Sequence, residues 1–209
     1  MKIHWIGHAC FKVTTSTNQV IYFDPYEISQ KVNDATLILC SHDHYDHADE
    51  GSIANIFNSK AMLLCPKNCV PKLKKYNARG LDPGDQLDVA NIKVQAVPAY
   101  TPTKNFHPKQ KKWVGFLVKV DGKVLYHAGD TDFIDEFKQL PPIDVAFLPV
   151  GGTYTMDFKE AVQAVSTIKP GITIPMHHWD KDLQEFAQMV QKATPGARVE
   201  ILTSKDLVI

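Results

Sequence analysis

Apolar positions in the first forty residues fall in short runs, some alternating with polar residues and some continuous. KIHWI, CFKVTT, VIYFD and TLILC are rich in β-branched and aromatic side chains and are parted by Ser, Thr, Asn, Asp or Pro. Short runs with such punctuation predict strands. Beyond residue 50 the pattern changes, because Ile53, Ile56 and Phe57 in GSIANIFNS stand at helical spacing. A strand AMLLC and a helix from Pro66 to Tyr76 are expected next, then a strand NIKVQAV. VGFLVKVDGKVLYHAGD holds two alternating runs about Asp121-Gly122, a dipeptide that tolerates the positive φ of a tight hairpin. From there helix and strand alternate. Phe133 to Leu140 is expected to be helical and is stopped by Pro141-Pro142, DVAFLPV reads as a strand, and Phe158 to Ile168 carries an apolar face of Phe158, Ala161, Val162 and Val165. Asp157 with Glu160 predicts a capping pair at that helix start. ITIPM reads as a strand, Leu183 to Lys192 as an amphipathic helix and RVEIL as a final strand. Strands dominate the middle while helices occur in both halves. The expected class is therefore α/β in the α+β sense, with two packed sheets covered by helices.

Composition narrows the reading without changing it. A chain of 209 residues with 44% hydrophobic content can enclose a core as one domain, residues 1–209. Lys plus Arg equals Asp plus Glu at 23 each, which removes net charge as an argument for a nucleic-acid partner. No apolar run approaches the roughly 20 residues of a membrane-spanning helix, and the N-terminus lacks the continuous apolar core of a signal peptide, so a cytoplasmic protein without a membrane partner is expected. Cys10, Cys40, Cys65 and Cys69 are scattered among apolar residues, which suits buried thiols better than a disulfide framework. CPKNC is one residue too long for a redox pair.

The chemistry concentrates in SHDHYDHADE, directly behind TLILC. An extended strand end lets His42 and His44 point together, and a turn after them brings Asp46 and His47 to a neighbouring point. Imidazole and carboxylate suit zinc and similar divalent ions. A solvated loop or a helix cap would account for one carboxylate but not for three of the chain's nine histidines. Asp43 and Asp49 are expected to be solvated or capping side chains instead of ligands.

HDHYDH resembles the His-x-His-x-Asp-His motif of the metallo-β-lactamase superfamily. FDP at Asp24, AGDTD at Asp130 and PMHH at His177 follow in the superfamily's order. With WIGHACF, HAGDTDF and LPVGGTYTM, the chain resembles the compact metal-dependent hydrolases of that superfamily, the group that includes ascorbate-phosphate lactonase-like proteins. The likeness runs from about residue 3 to the C-terminus. It implies a four-layer αββα sandwich, with His42 and His44 on a first metal, Asp46, His47 and His177 on a second, and Asp130 bridging. The superfamily's first metal usually takes a third histidine from the end of a strand such as VQAVPA, where this chain has Tyr100 and Thr101. His107, in AYTPTKNFHPK, is the one histidine between His47 and His127. It is either a ligand reaching in from a loop or a residue that faces substrate or solvent.

Other positions are weighed against blander roles. Asp24 is expected to orient a histidine ligand, the alternative being a turn former before Pro25. His127 is expected to hydrogen-bond a ligand, the alternative being a buried core histidine. His8 is equally a site residue or structure, His178 is expected to diverge from His177, and His4 to be a sheet residue. Gly151-Gly152 allows close backbone approach to a ligand or forms an ordinary loop, with Tyr154 as its substrate contact. Lys104, Lys109, Lys111 and Lys112 around Phe106 form either a solvated face or an attraction for an anionic substrate.

A metal-dependent hydrolase is the expected function, acting on an ester, lactone or phosphoester of a small, anionic molecule. One or two divalent ions are expected, zinc foremost, with manganese or iron(II) possible on the same donors. Asp46, His107 and Tyr154 are the candidate catalytic residues. The competing reading is a non-catalytic metal-binding scaffold of the same fold, which a closed set of protein ligands would favour.

Overall fold

The computed structural model describes residues 1–203 and 205–209. Strands β1 (Lys2–Gly7), β2 (Cys10–Thr14), β3 (Val20–Phe23), β4 (Leu37–Leu39), β5 (Met62–Pro66) and β6 (Arg79–Leu81) form the first sheet. β7 (Gln86–Val89), β8 (Ile92–Pro98), β9 (Val114–Val120), β10 (Lys123–His127), β11 (Val145–Pro149) and β12 (Ile172–Met176) form the second. β13 (Leu207–Val208) returns to pair with β1 at the first sheet's edge.

Period-two alternation builds the layers. Ile21, Phe23, Leu37 and Leu39 face Phe116, Val118, Val145 and Phe147 in the core between the sheets. Their chain neighbours point outward. Val20, Tyr22 and Ile38 pack under Ile53 and Ile56 of α1 (Glu50–Ile56) and Leu73 of α2 (Val70–Leu73). Leu117, Ala146 and Leu148 pack under Ala161 and Val165 of α3 (Phe158–Ile168) and Phe186 and Val190 of α4 (Leu183–Ala193). The result is the expected αββα sandwich. Each fully buried Leu, Ile or Phe contributes roughly 1.5–3 kcal/mol, so this central layer is the main source of cohesion.

Local chemistry fixes the joints. Asp121 and Gly122 both take positive φ, 53° and 71°, as the hairpin between β9 and β10 requires. Asp157 accepts the Glu160 amide while the Glu160 carboxylate accepts the Asp157 amide, a complete capping box on α3.

Three expectations give way, and two strands come unforeseen. The stretch from Pro66 to Tyr76 is a 3-10 turn, the short α2 and a second 3-10 turn, because Pro71 has no N–H to give. Phe133 to Leu140 shrinks to a 3-10 segment, Asp135–Gln139, anchored by Ile134 and Phe137. RVEIL joins β12 through one bridge, Thr173 to Val199, and the last strand is β13. β6 and β7 lie in stretches too short and polar to stand out as strands.

Candidate metal centre

β3 runs parallel to β4, and β10 to β11 and β12. The carboxyl ends of these strands, where loops gather function in open parallel sheets, deliver Asp24, His42, Asp130 and His177. The β1–β2 connection adds His8 between Gly7 and Cys10. Two glycines allow the strand ends to close together. A Cβ on Gly129 (φ +62°) would stand 3.0 Å from both the Ser41 Cβ and the Val114 carbonyl, and one on Gly151 would stand 2.4 Å from the His177 carbonyl. Gly151's close approach is thus to protein backbone.

Three imidazoles make one cluster. His42 Nε2 lies 3.0 Å from His44 Nδ1, and the His107 ring is 5.0 Å from that of His42 and 5.1 Å from that of His44. One nitrogen from each falls within 4.8 Å of the others. His107 arrives on a loop clamped at both ends: Thr101 N–H donates to the His107 carbonyl (2.9 Å) and His107 N–H donates to Thr101 Oγ1 (3.2 Å). Beneath them lies Trp113, its ring 4.9 Å from those of His42 and His44.

A second cluster holds His8, Asp46, His47 and His177, again within 4.8 Å. His8 Nε2 is 3.1 Å from Asp46 Oδ2, and the His8 and His177 rings are 4.0 Å apart. Asp130 stands between the clusters. Its Oδ2 is 3.2 Å from His107 Nε2 and 3.1 Å from His177 Nε2, and its Oδ1 is 3.4 Å from His47 Nε2.

Asp24, fully buried, sets the protons behind these groups. Ser41 N–H and Ser41 O–H each donate to its carboxylate at 2.7 Å, and so does His47 Nδ1–H. Ser41 has one hydroxyl proton and gives it to Asp24, so at 2.9 Å from His42 Nδ1 it accepts that nitrogen's proton. His42 therefore turns a lone-pair Nε2 towards the centre, and in His47 the bond to Asp24 reserves Nδ1 for its proton, so that Nε2 is the nitrogen free to lose its own to a cation, the arrangement in which an outer carboxylate fixes a ligand's tautomer.

Electrostatics separate the two rings. Burial, reinforced by His47, drives the His42 pKa well below its ordinary value and keeps the ring neutral. Burial also opposes charge on His47, but Asp130 and Asp24 outweigh it and push that pKa up to about 9. Burial alone would protonate Asp130, yet His177 and His47 hold its pKa well below the carboxylate range. Asp46 is likewise burdened by burial, but the close approach of His8 leads the opposing effects and lowers it to about 2.

The donor set fits a cation. Among the described residues the buried atoms without a hydrogen-bond partner include His8 Nε2, His47 Nε2, both nitrogens of His107 and Asp130 Oδ1. One nitrogen from each of these rings approaches the other donors closely without being aligned to hydrogen-bond, so that one atom per residue can serve a common ion. Leaving such groups unmet costs about 1–3 kcal/mol each, a penalty that a shared divalent ion removes. Backbone strain gathers at the same place: His8 (φ 50°), Asp24 (42°) and His177 (52°) are left-handed without being glycine, at a cost of roughly 1–3 kcal/mol each.

All six residues expected to hold metal, His42, His44, Asp46, His47, Asp130 and His177, come together, and His8 and His107 join them. His127 departs from expectation. Its Nε2 donates to the Ala9 carbonyl (2.9 Å), its Nδ1 accepts from Gly129 N–H (3.3 Å), and its ring stacks on Phe23, so no hydrogen bond reaches a candidate ligand. Asp49 caps α1 through the Gly51 and Ser52 amides. His4 pairs with Asp206 at the surface (2.7 Å).

Tyr154 lines a cavity of about 290 Å³ over the centre, beside Phe106, Tyr45 and Trp179. Of the two readings of the lysines around Phe106, a solvated face or an attraction for an anion, the structure favours the first, since their charges are engaged elsewhere. Lys104 pairs with Asp132 and Glu160, Lys109 with Glu136, and Lys112 with Asp82, while Lys111 lies over the Trp113 ring. Ser41, Trp113, Tyr45 and Trp179 were not foreseen as site residues. Ser41 had one signal in the sequence, its place between a strand end and the histidine turn.

A family model described as "Beta-lactamase superfamily domain" matches residues 2–177. The chain belongs to the beta-lactamase superfamily. A metal-dependent hydrolase of Pyrococcus abyssi is 35% identical over 227 residues, covering 96% of this chain and 100% of the relative. A solved structure from Parabacteroides distasonis superposes with a TM-score of 0.85 at 32% identity, covering 97% of this chain and 93% of the other. A metallo hydrolase from the archaeon Ignicoccus hospitalis gives a TM-score of 0.81 at 26% identity, covering 99% and 97%. Within the superfamily the chain takes its place with the metal-dependent hydrolases.

Proposed function

We propose that this protein cleaves an ester, lactone or phosphoester bond of a small molecule at a metal centre with room for two divalent ions. His42, His44 and His107 would hold one, His47, His177, Asp46 and His8 the other, with Asp130 between them. Nitrogen and oxygen donors without thiolate suit zinc first, then manganese or iron(II). An ion bound here supplies Lewis acidity and lowers the pKa of a coordinated water towards about 7.

The chain's own residues do the rest. Asp24 and Ser41 keep His42 and His47 in the ligating tautomer. Asp46, kept anionic by its low pKa, borders the 290 Å³ cavity and can accept a proton there. Tyr154, 38% exposed with its ring 4.6 Å from Phe106, is placed to donate one to a departing oxygen. Phe106 and Trp179 flank the approach and limit water.

The convergence of unpartnered histidine and aspartate atoms from both sheets carries this reading. The open cavity above them favours catalysis over a scaffold, since a structural site is closed by its own ligands. Stripping the protein with chelator should abolish hydrolysis of a panel of activated esters, lactones and phosphodiesters, and refilling should restore it. Equal turnover by the stripped form would reject the proposal.

A further inference from the structure

The wall formed by Tyr45, Asp46 and Trp179 has a second cavity on its other side, about 250 Å³ in volume. That is roughly eight waters at about 30 Å³ each. Trp5, Tyr26, Tyr45 and Trp179 line it, together with His8 and His178. The rings form a chain and a pair: Tyr26 lies 6.0 Å from Tyr45 and 5.8 Å from His8, His8 lies 5.2 Å from Trp179, and Trp5 lies 5.4 Å from His178.

The charge in this cavity has one sign. Glu27 and Asp180 line it alongside Asp46, and neither Lys nor Arg does. Among the described residues Glu27 and Asp180 have no ion-pair partner. Neither belongs to a group of side chains that could hold a metal ion among the described residues. The nearest lysine in sequence, Lys181, is directed over the Phe158 ring, its Nζ 5.5 Å from the centroid. His8, whose side chain is 9% exposed, turns its ring into this cavity's lining while its Nε2 faces Asp46 at 3.1 Å. Glu27 (φ 56°) and Trp179 (φ 51°) are both held in the left-handed region, a strain that persists at ligand clamps.

We propose that this second cavity recognises an organic cation, an alkylammonium group on the substrate, whose scissile bond then lies in the adjoining cavity over the metal centre. The proposal rests on the hydrolase reading for the scissile bond alone; cation recognition stands by itself. Aromatic faces attract a cation through their quadrupoles, most strongly when it is desolvated. Glu27 and Asp180 add direct attraction and repel carboxylate or phosphate. An uncharged apolar group would fill the cavity but leave both carboxylates without a counter-charge.

The test uses the full-length, metal-loaded protein and two alcohols of the same shape, choline and its uncharged analogue 3,3-dimethylbutanol. Binding is followed by calorimetry and by the fluorescence of Trp5 and Trp179. Choline should bind about tenfold more tightly than the analogue, and that ratio should fall towards one in Glu27→Gln, Asp180→Asn and their double variant, each checked for metal content and circular dichroism. Equal affinity for the two alcohols, or no binding of choline, overturns the proposal, as does an unchanged ratio in the folded double variant. Acetate esters of both alcohols separate the two readings. Equal hydrolysis of the esters refutes cation recognition and leaves the hydrolase standing, whereas selective choline binding without any hydrolysis supports recognition and counts against the hydrolase.

Discussion

Replacing Asp24 by Asn should weaken metal binding sharply without unfolding the protein. Asp24 is buried with φ 42°, a left-handed conformation that Asn tolerates as well as Asp does, so shape and backbone are preserved. What changes is one acceptor oxygen, which becomes an NH2 donor. Two orientations are open to the amide. If NH2 faced the Ser41 N–H, now 2.7 Å from Oδ1, two donors would meet and the peptide could not adapt, at a cost of about 1–3 kcal/mol. The amide should therefore direct its oxygen to Ser41 N–H and its NH2 to the place of Oδ2, where Ser41 Oγ and His47 Nδ1 both lie at 2.7 Å. His47 Nδ1 must then accept, which moves its proton to Nε2. Ser41, now accepting from the amide, turns its own proton to His42 Nδ1, so His42 Nε2 is protonated too. Neither Nε2 can then offer a lone pair to a cation. Loss of one orienting partner typically costs 10–100-fold in metal affinity; with two ligands affected, about a hundredfold is expected, or roughly 2.7 kcal/mol. Competition against a calibrated chelator measures the affinity, and long-range nitrogen–proton NMR of the imidazoles reports the tautomers. Affinity within twofold of wild type, with His47 still protonated on Nδ1, would refute the reasoning.

Four further outcomes are expected. His107→Ala should remove metal capacity while the metal-free protein melts nearly as before, whereas His127→Ala should keep metal affinity within a few-fold and lose roughly 3 kcal/mol of stability through the cavity and the unmet Ala9 carbonyl; elemental analysis and urea unfolding distinguish them. Tyr154→Phe should lower kcat about tenfold or more with little change in KM, which steady-state kinetics on a refilled enzyme would show. The thiols are buried and burial pushes Cys10 and Cys65 up to about 12, so a disulfide reagent should label the folded protein slowly and all four cysteines once it is unfolded. Asp144 is lowered although burial opposes it, because the Val124 amide and Lys123 favour its anion. Its contribution is present above the ordinary Asp value of about 4 and fades as pH falls through the depressed folded value. Asp144→Ala should therefore cost about 1 kcal/mol at pH 7, allowing for solvent screening, and almost nothing near pH 2 in metal-free protein.

The layered fold was legible where short runs of β-branched and aromatic residues stood between turn formers. VIYF and LILC are apolar throughout, which marks strands covered on both faces, and the capping pair of α3 is written in Asp157 and Glu160. Elements without that contrast escaped: RGL and QLDV hold β6 and β7 by pairing with neighbours that only the fold supplies. The histidine and aspartate cluster was legible as a candidate metal site because its early members are adjacent in sequence. His107 was not, since its position depends on the Thr101 clamp, and neither was the orientation of the lysines around it, each set by an acid or a ring from another segment. Trp113 and Trp179 look like ordinary core and surface aromatics until the chain closes around them.

The donors divide between the two sheets: His8 and the 42–47 turn belong to the first, Asp130 and His177 to the second. During synthesis the early histidines emerge roughly ten seconds before His177. Over that interval the nascent chain offers an open, incomplete chelate to whichever cation is most abundant around it. Selectivity must then be decided by exchange after the sandwich has closed, so the ion found in a purified sample reports the supply in its host as much as the preference of the site.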